Sequence, residues 1–165
     1  MTTSPVLTIS DDTAAARQLL FAYYNATAAE QGQPTWDSPD DLPDYFRADY
    51  DDPAAYYAAP GGYLVARLDG RVAGGVGFHF LGPDIEVKRL YVVPEARGAR
   101  VARSLMRVLH QRAHAAGAAR CILDVLPQRT AAIALYEKLG YRRIPPYHPA
   151  YEGVELDCFA LDLAL

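Results

Sequence analysis

Residues 89–106 read RLYVVPEARGARVARSLM. An extended apolar run, Leu90 to Val93, stops at Pro94, and Arg97-Gly98 follows. From there Val101, Leu105, Leu109 and Ala113 recur at four-residue spacing. Arg100, Arg103, Arg107, Gln111 and His114 make the polar stripe, which predicts an amphipathic helix over 100–116 closed by Gly117. A strand, a tight loop and a helix start form a natural anion cradle. The first N–H groups of a helix have no partner within it, and its dipole presents positive charge there. Phosphate-gripping loops are usually glycine-rich, whereas this one has Gly98 alone with arginines around it. Arg100 has two readings: it opens the polar stripe and points to solvent, or it reaches the phosphate.

Outward from this unit the chain alternates strands and helices. Residues 5–9 read as a short strand. Asp11-Asp12-Thr13 offers caps to a helix over AAARQLLFAYYNATAAE that ends near Gly32. Residues 33–62, rich in Pro, Asp and Tyr, read as a wall or lid with a short helix around Asp40–Tyr50. Asp69-Gly70 between two apolar runs predicts a hairpin, and DIEVKRLYVV continues as the next strand. ARCILDVL is another strand, RTAAIALYEKLGY a helix stopped by Gly140, and VELDCFALDL a final strand. The segment GGVGFHF carries Phe80 where a dinucleotide fingerprint needs its third glycine, and it opens no helix. Gly74, Gly75 and Gly77 therefore read as a strand needing room on one face.

The bulk numbers exclude several classes. With 165 residues, 51% of them apolar, the chain can bury one core but hardly two, so 1–165 is expected to be one domain. A net charge of −4 argues against a nucleic-acid partner or an anionic membrane surface. MTTSPVLTIS has neither the positive start nor the apolar core of a signal peptide, and no apolar run nears the ~20 residues that span a bilayer. Cys121 and Cys158, in strand-like runs, read as buried reduced thiols. Neither they nor His79, His110, His114 and His148 show metal spacing, and His110 and His114 read as a solvated helix face. A cytoplasmic protein, monomer or homodimer, without a metal is the expectation.

The strand–VPEARGARVARSLM–helix unit resembles the acetyl-CoA-binding motif of the GCN5-related N-acetyltransferases (GNAT), in which Arg or Gln is followed by two residues, Gly, one residue, and Gly or Ala. Arg97 and Ala102 match the ends, and Arg100 replaces the middle glycine. TAAIALYEKLGY resembles the family's second motif, whose helix carries a tyrosine near the cofactor thiol. Tyr136 holds that position, and Arg129 stands where the family often has Asn. KRLYV, RG, LDVLP, AIALY and IPPY are similar to a bacterial subgroup, and the resemblance covers essentially the whole chain. It implies an α/β GNAT fold: a mixed twisted central sheet of about six to seven strands with helices on both faces.

The resemblance also implies transfer of acetyl from acetyl-CoA to a primary amine, on a small molecule or a peptide, by direct attack. Leu90, Tyr91 and Val92 would hold the thioester and pantetheine arm, with the Leu90 N–H toward the thioester oxygen. Arg97, Gly98, Ala99, Arg100, Val101, Ala102 and Arg103 would hold the pyrophosphate, with Arg129 and Tyr136 completing the cofactor site. Tyr136 would be the acid for the leaving thiolate; its plain alternative is a core tyrosine in a stripe with Ala132 and Leu139. Glu86, eleven positions before Arg97, matches the place of the base glutamate in the family's protein acetyltransferases. By strand alternation it shares a face with Lys88, Leu90 and Val92. It would act directly or through water, or be an ordinary surface carboxylate. Trp36 and Asp37 of the wall, and Tyr147, His148 and Tyr151, are candidates for the acceptor pocket. The rival function is a GNAT-fold protein that binds acyl-CoA, or regulates, without transferring.

Overall fold

The structure is a computed structural model and describes residues 3–149 and 153–163. Its elements are β1 (Leu7–Asp11), α1 (Ala16–Glu30), α2 (Asp44–Asp51), α3 (Pro53–Tyr56), β2 (Gly62–Leu68), β3 (Arg71–Leu81) and β4 (Asp84–Val92). There follow α4 (Val101–Ala115), β5 (Arg120–Val125), α5 (Thr130–Lys138), β6 (Arg142–Ile144) and β7 (Asp157–Asp162). The seven strands form one sheet in the order β1-β2-β3-β4-β5-β7-β6. Neighbours are antiparallel except β4 and β5, which run parallel. This is the expected mixed sheet. The sequence reading lacked α3 and the short strand β6.

Local chemistry sets the boundaries. Asp12 Oδ1 accepts the N–H groups of Ala14 and Ala15 at 3.0 and 3.2 Å, just ahead of α1. Asp69 and Gly70 take φ of 49° and 81°, the left-handed pair that a two-residue hairpin turn requires. Gly140, at φ 97°, ends α5, and the Tyr141 N–H bonds back to the Tyr136 carbonyl at 3.0 Å. Helix α4 opens one residue later than the stripe suggests, because Arg100 is left-handed with φ 59°.

Each face of the sheet carries its own core. On one side α4 sets Val101, Leu105, Met106, Leu109 and Ala113 against Phe78, Ile85, Val87, Leu123 and Phe159, and Tyr136 of α5 joins them. On the other, Ala16, Leu19, Leu20 and Tyr24 of α1, with Leu42 and Tyr57 of the wall, cover Tyr63 and Val65. The β3 glycines serve both faces rather than one. A Cβ at Gly77 would lie 2.4 Å from the Tyr57 ring, and one at Gly74 would lie 3.2 Å from Val101 Cγ1 of α4 on the opposite side.

Two irregularities in β4 create the site. Tyr91 pairs with Gly75 and Lys88 with Gly77, so Arg89 and Leu90 together oppose the single residue Val76. Arg89 absorbs this bulge at φ 59°. The bulge inverts the alternation expected from sequence. Glu86, Lys88 and Tyr91 face the α1 side, while Val87, Leu90 and Val92 join the α4 core. The second irregularity is on the other edge. β4 and β5 pair only at Ile85–Cys121 and Glu86–Ile122, and beyond those pairs the two strands diverge.

Candidate active site

A cavity of about 680 Å³ fills this divergence. Its walls are Val87 and 89–92 of β4, 123–125 at the end of β5, and the first half of α5 including Thr130, Ala132, Leu135 and Tyr136. Arg97 and Ala102 close one end, and Tyr23, Ala26 and Glu30 of α1 close another. Strand edges that lack a neighbour leave backbone N–H and C=O groups wanting partners. An extended, amide-bearing molecule can satisfy them by lying between the strands. A second cavity of about 500 Å³ is walled by Tyr45 and Phe46 of α2, Thr27 and Gln31 of α1, Lys88, Leu126, Val154 and Leu156. The two share Tyr23, Val87, Arg89, Asp124 and Val125, so they abut at a common throat.

Of the residues expected at a cofactor, Leu90, Tyr91, Val92, Arg97, Ala102, Arg129 and Tyr136 line the first cavity. Gly98, Ala99, Arg100 and Arg103 are exposed and are not part of its lining. Val101 offers only its backbone, because its side chain is buried in the core under α4. Gly98 has φ 87° and open space around its absent Cβ, so only glycine takes this backbone without strain. The Arg100 side chain is exposed. Its left-handed backbone places it where a glycine would sit more easily, at a cost of about 1–2 kcal/mol for a residue with a Cβ.

Arg129 does more than replace an asparagine. From the residue before α5 it reaches α1, donating to Glu30 Oε2 and Thr27 Oγ1, both at 2.6 Å, and to the Tyr23 hydroxyl at 3.0 Å. Arg89, at the bulge, donates to Asp49 Oδ2 at 3.2 Å and stacks under Tyr23, Tyr24 and Phe46. Asp49, 1% exposed, also accepts the hydroxyls of Tyr24 and of Tyr57, the latter at 2.7 Å. Burial opposes its ionisation. The Arg89 charge and the hydroxyl bonds outweigh that and hold Asp49 below the usual carboxylate range. The wall segment is thus riveted to the bulge.

Glu86 is not brought to either cavity wall. It is buried, with His79 Nε2 at 2.7 Å, the Tyr147 hydroxyl donating at 2.7 Å and Lys88 Nζ at 3.7 Å. Burial raises its pKa, but the bonds from His79 and Tyr147 and the Lys88 charge prevail and hold it down to about 2. Tyr147 likewise anchors its loop to Glu86. Tyr136, buried among core residues, reaches the first cavity while burial pushes its phenol up.

His148 Nε2 lies 2.6 Å from Asp124 Oδ2, and its Nδ1 is 2.8 Å from the Pro149 carbonyl. Burial disfavours the imidazolium, but both partners favour it and raise the pKa. Trp36 lines neither cavity. Asn25 holds its backbone from both sides, and its ring meets Phe46, which lines the second cavity, edge-on at 5.7 Å. Asp37 lies outside both walls, and Tyr151 falls outside the described residues.

His110 departs from the solvated-face expectation. It bonds the Tyr141 hydroxyl at 2.7 Å, and burial lowers its pKa to about 4. Both cysteines are buried and free, as expected. Among the described residues no cluster of three His, Cys, Asp or Glu is placed to hold a metal, and no helix is long and apolar enough to cross a membrane.

The family model described as acetyltransferase (GNAT) family matches residues 22–141. The chain belongs to the GNAT family. Relatives include the IAA acetyltransferase of Azospirillum brasilense, 36% identical over 89 residues, and an uncharacterized N-acetyltransferase, YjgM, of Escherichia coli, 37% identical over 93. The matched stretches are 53% of this chain in both cases, and 58% and 56% of those relatives. The chain therefore spans somewhat more than half the length of these curated relatives. Another, from Schizosaccharomyces pombe, is 34% identical over 100 residues, so relatives are not confined to bacteria.

Solved GNAT-like structures agree on the fold. A Streptococcus agalactiae acetyltransferase superposes with a TM-score of 0.75 at 16% identity, covering 94% of this chain and 98% of that one. The PaiA N-acetyltransferase of Thermoplasma acidophilum, solved in complex with coenzyme A, superposes with a TM-score of 0.70 at 16% identity, covering 95% and 99%. The throat residues Tyr23, Asp124 and the Arg89–Asp49 pair escaped sequence reading. Their one signal was Arg89 itself, a permanent cation in an apolar strand that has to find a buried anion.

Proposed function

We propose that this GNAT protein is an acetyl-CoA-dependent N-acetyltransferase, acting in the cytoplasm on a primary amine by direct transfer, as a single domain over 1–165. The observation that carries the reading is the divergence of β4 from β5 right after Glu86–Ile122, with Arg97, Ala102 at the start of α4, and Tyr136 all lining the cavity between them. Unpaired strand edges suit the amides of a pantetheine arm. The free N–H groups of the α4 start and Arg97 suit a pyrophosphate. Acetyl-CoA, held by these residues, would supply an activated acetyl thioester. Tyr136, whose phenol is kept protonated by burial, is suited to give its proton to the leaving thiolate.

The adjoining cavity, with Tyr45, Phe46, Leu126, Val154 and Leu156 on its walls, suits an amine carried on an apolar body. The test has two arms. Acetyl-CoA at ~100 Kd should stabilise the fold by about 2.7 kcal/mol. An amine panel should then release free CoA thiol together with acetylated product. No melting shift at millimolar acetyl-CoA removes the cofactor assignment. A clear shift with no product from any amine favours the non-transferring, acyl-CoA-binding reading.

A further inference from the structure

Tyr23 sits on α1 in the wall common to both cavities, half-buried, where an acceptor nitrogen in one cavity would meet an acetyl group in the other. Its ring lies between two guanidinium groups, with Arg129 Cζ 4.9 Å and Arg89 Cζ 5.6 Å from its centroid. Arg129 Nη1 also donates to the Tyr23 oxygen at 3.0 Å. An arginine offers only donors and keeps its charge. The phenol oxygen must therefore accept, and two fixed cations favour its ionised form.

Other charged and phenolic groups surround Tyr23. Glu30 of α1 takes part of Arg129's charge, and Asp49 of α2 takes part of Arg89's. Asp124 of β5 opposes ionisation, and the phenols of Tyr24 on α1 and Tyr136 on α5 lie close by. Burial opposes ionisation most, yet Arg129 and Arg89 outweigh it and leave Tyr23 below the ordinary phenol value. Tyr24, Tyr57, Tyr63, Tyr136, Tyr141 and Tyr147 all move the other way, pushed up chiefly by burial.

We infer that Tyr23, held between Arg89 and Arg129 at the throat, is the catalytic residue that takes the proton from the incoming ammonium. The inference rests on the acetyltransferase reading above. The carboxylates compete poorly. Glu86 lines neither cavity and already meets three partners, and Asp124 is already paired with His148. An ordinary carboxylate also lies about 6 pKa units below an alkylammonium, whereas a phenolate is close to it. In the step, the amine's first proton passes to the Tyr23 phenolate and on to solvent. The freed nitrogen forms its bond to the acetyl carbon as the carbon–sulfur bond breaks. The nitrogen's second proton replaces the one that Tyr136 gives to the thiolate. Amide, thiol and one released proton balance the ammonium and thioester consumed.

The test uses Tyr23→Phe, which keeps the ring, and Arg129→Gln, which removes one cation while leaving Tyr23 in place. Tyrosinate absorbance near 295 nm, followed against pH on the protein alone, should show one phenol ionising early. That component should vanish in Tyr23→Phe and move to higher pH in Arg129→Gln. With the best amine of the panel, Tyr23→Phe should lose about 10²–10⁴-fold in kcat, and the rising limb of its pH profile should disappear. In Arg129→Gln that limb should move up in pH together with the absorbance. If Tyr23→Phe is poorly folded, the coupled shift in Arg129→Gln decides alone. Absence of an early-ionising tyrosine overturns the inference. So does wild-type turnover with an unchanged pH limb in folded Tyr23→Phe. A wild type that acetylates no amine overturns the acetyltransferase reading and this role together, whatever the absorbance shows.

Discussion

Replacing Asp49 with alanine should unfold this protein well below the wild-type melting temperature. The carboxylate is 1% exposed, bonds Arg89 at 3.2 Å, and receives the hydroxyls of Tyr24 and Tyr57. Removing it strands a guanidinium among aromatic rings and leaves two buried hydroxyls without their acceptor. Breaking one side of a buried ion pair costs about 3–5 kcal/mol, against a total of about 5–15 kcal/mol for a domain. At about 2–4 °C per kcal/mol for a chain of this length, the melting temperature should fall by roughly 6–20 °C.

Urea unfolding at constant m measures the same loss independently. The double variant Asp49→Leu with Arg89→Met removes both charges, so it should recover much of the loss. A single variant melting within about 2 °C of wild type, on the scale set by one half to one kcal/mol, refutes the reasoning. A double variant worse than the single one does so too. Because Phe46 stacks on Tyr24 at 4.2 Å, surviving Asp49→Ala protein should also bind the amine more weakly while keeping its acetyl-CoA shift. The pH sign follows from the lowered Asp49 pKa. Its contribution is complete above the unfolded value of about 3.9, and it is lost as pH falls through the folded value.

Folded Tyr136→Phe should lose about 10²–10⁴-fold in kcat with little change in acetyl-CoA affinity, and wild-type turnover would show that another donor protonates the thiolate. Glu86→Gln should remove the part of the acid-unfolding curve between its unfolded value of about 4.3 and the folded value of about 2, since the stabilisation from the depressed pKa is complete above that window and is lost progressively as pH falls through it; an acid limb identical to wild type counts against the His79–Glu86–Tyr147 hub. Arg100→Gly relieves a left-handed φ of 59° and should change stability by no more than about 1 kcal/mol, strain relief offsetting chain entropy. If Arg100 holds phosphate, Arg100→Ala should weaken CoA and spare pantetheine analogues that lack the pyrophosphate; equal affinity for CoA in wild type and variant makes it a solvated residue.

The sequence by itself determined what depends on near neighbours. The apolar spacing from Val101 to Ala113 fixed α4, Asp69-Gly70 fixed the hairpin, Gly140 ended α5, and the strand–Arg97-Gly98–helix unit marked a candidate anion cradle. Each of these follows from forces acting within a few residues. The Glu86 face was read from strand alternation, and that reading failed because a bulge at Arg89 reverses it. A bulge is set by what lies across the sheet: Gly75 and Gly77 leave room for Tyr63 and Tyr57, and Asp49 draws Arg89 inward.

Tertiary structure alone decided the throat. Arg129 meets Glu30, Thr27 and Tyr23 across about a hundred positions, separations of 99, 102 and 106, and Arg89 meets Asp49 across 40. A buried guanidinium must find an anion or a hydroxyl somewhere, so the sequence states the demand but not the supplier. Which of the many Asp, Glu and Tyr side chains answers it depends on how the wall segment and α1 pack on the sheet, and that packing is the sum of weak contacts over both cores rather than a property of any short stretch.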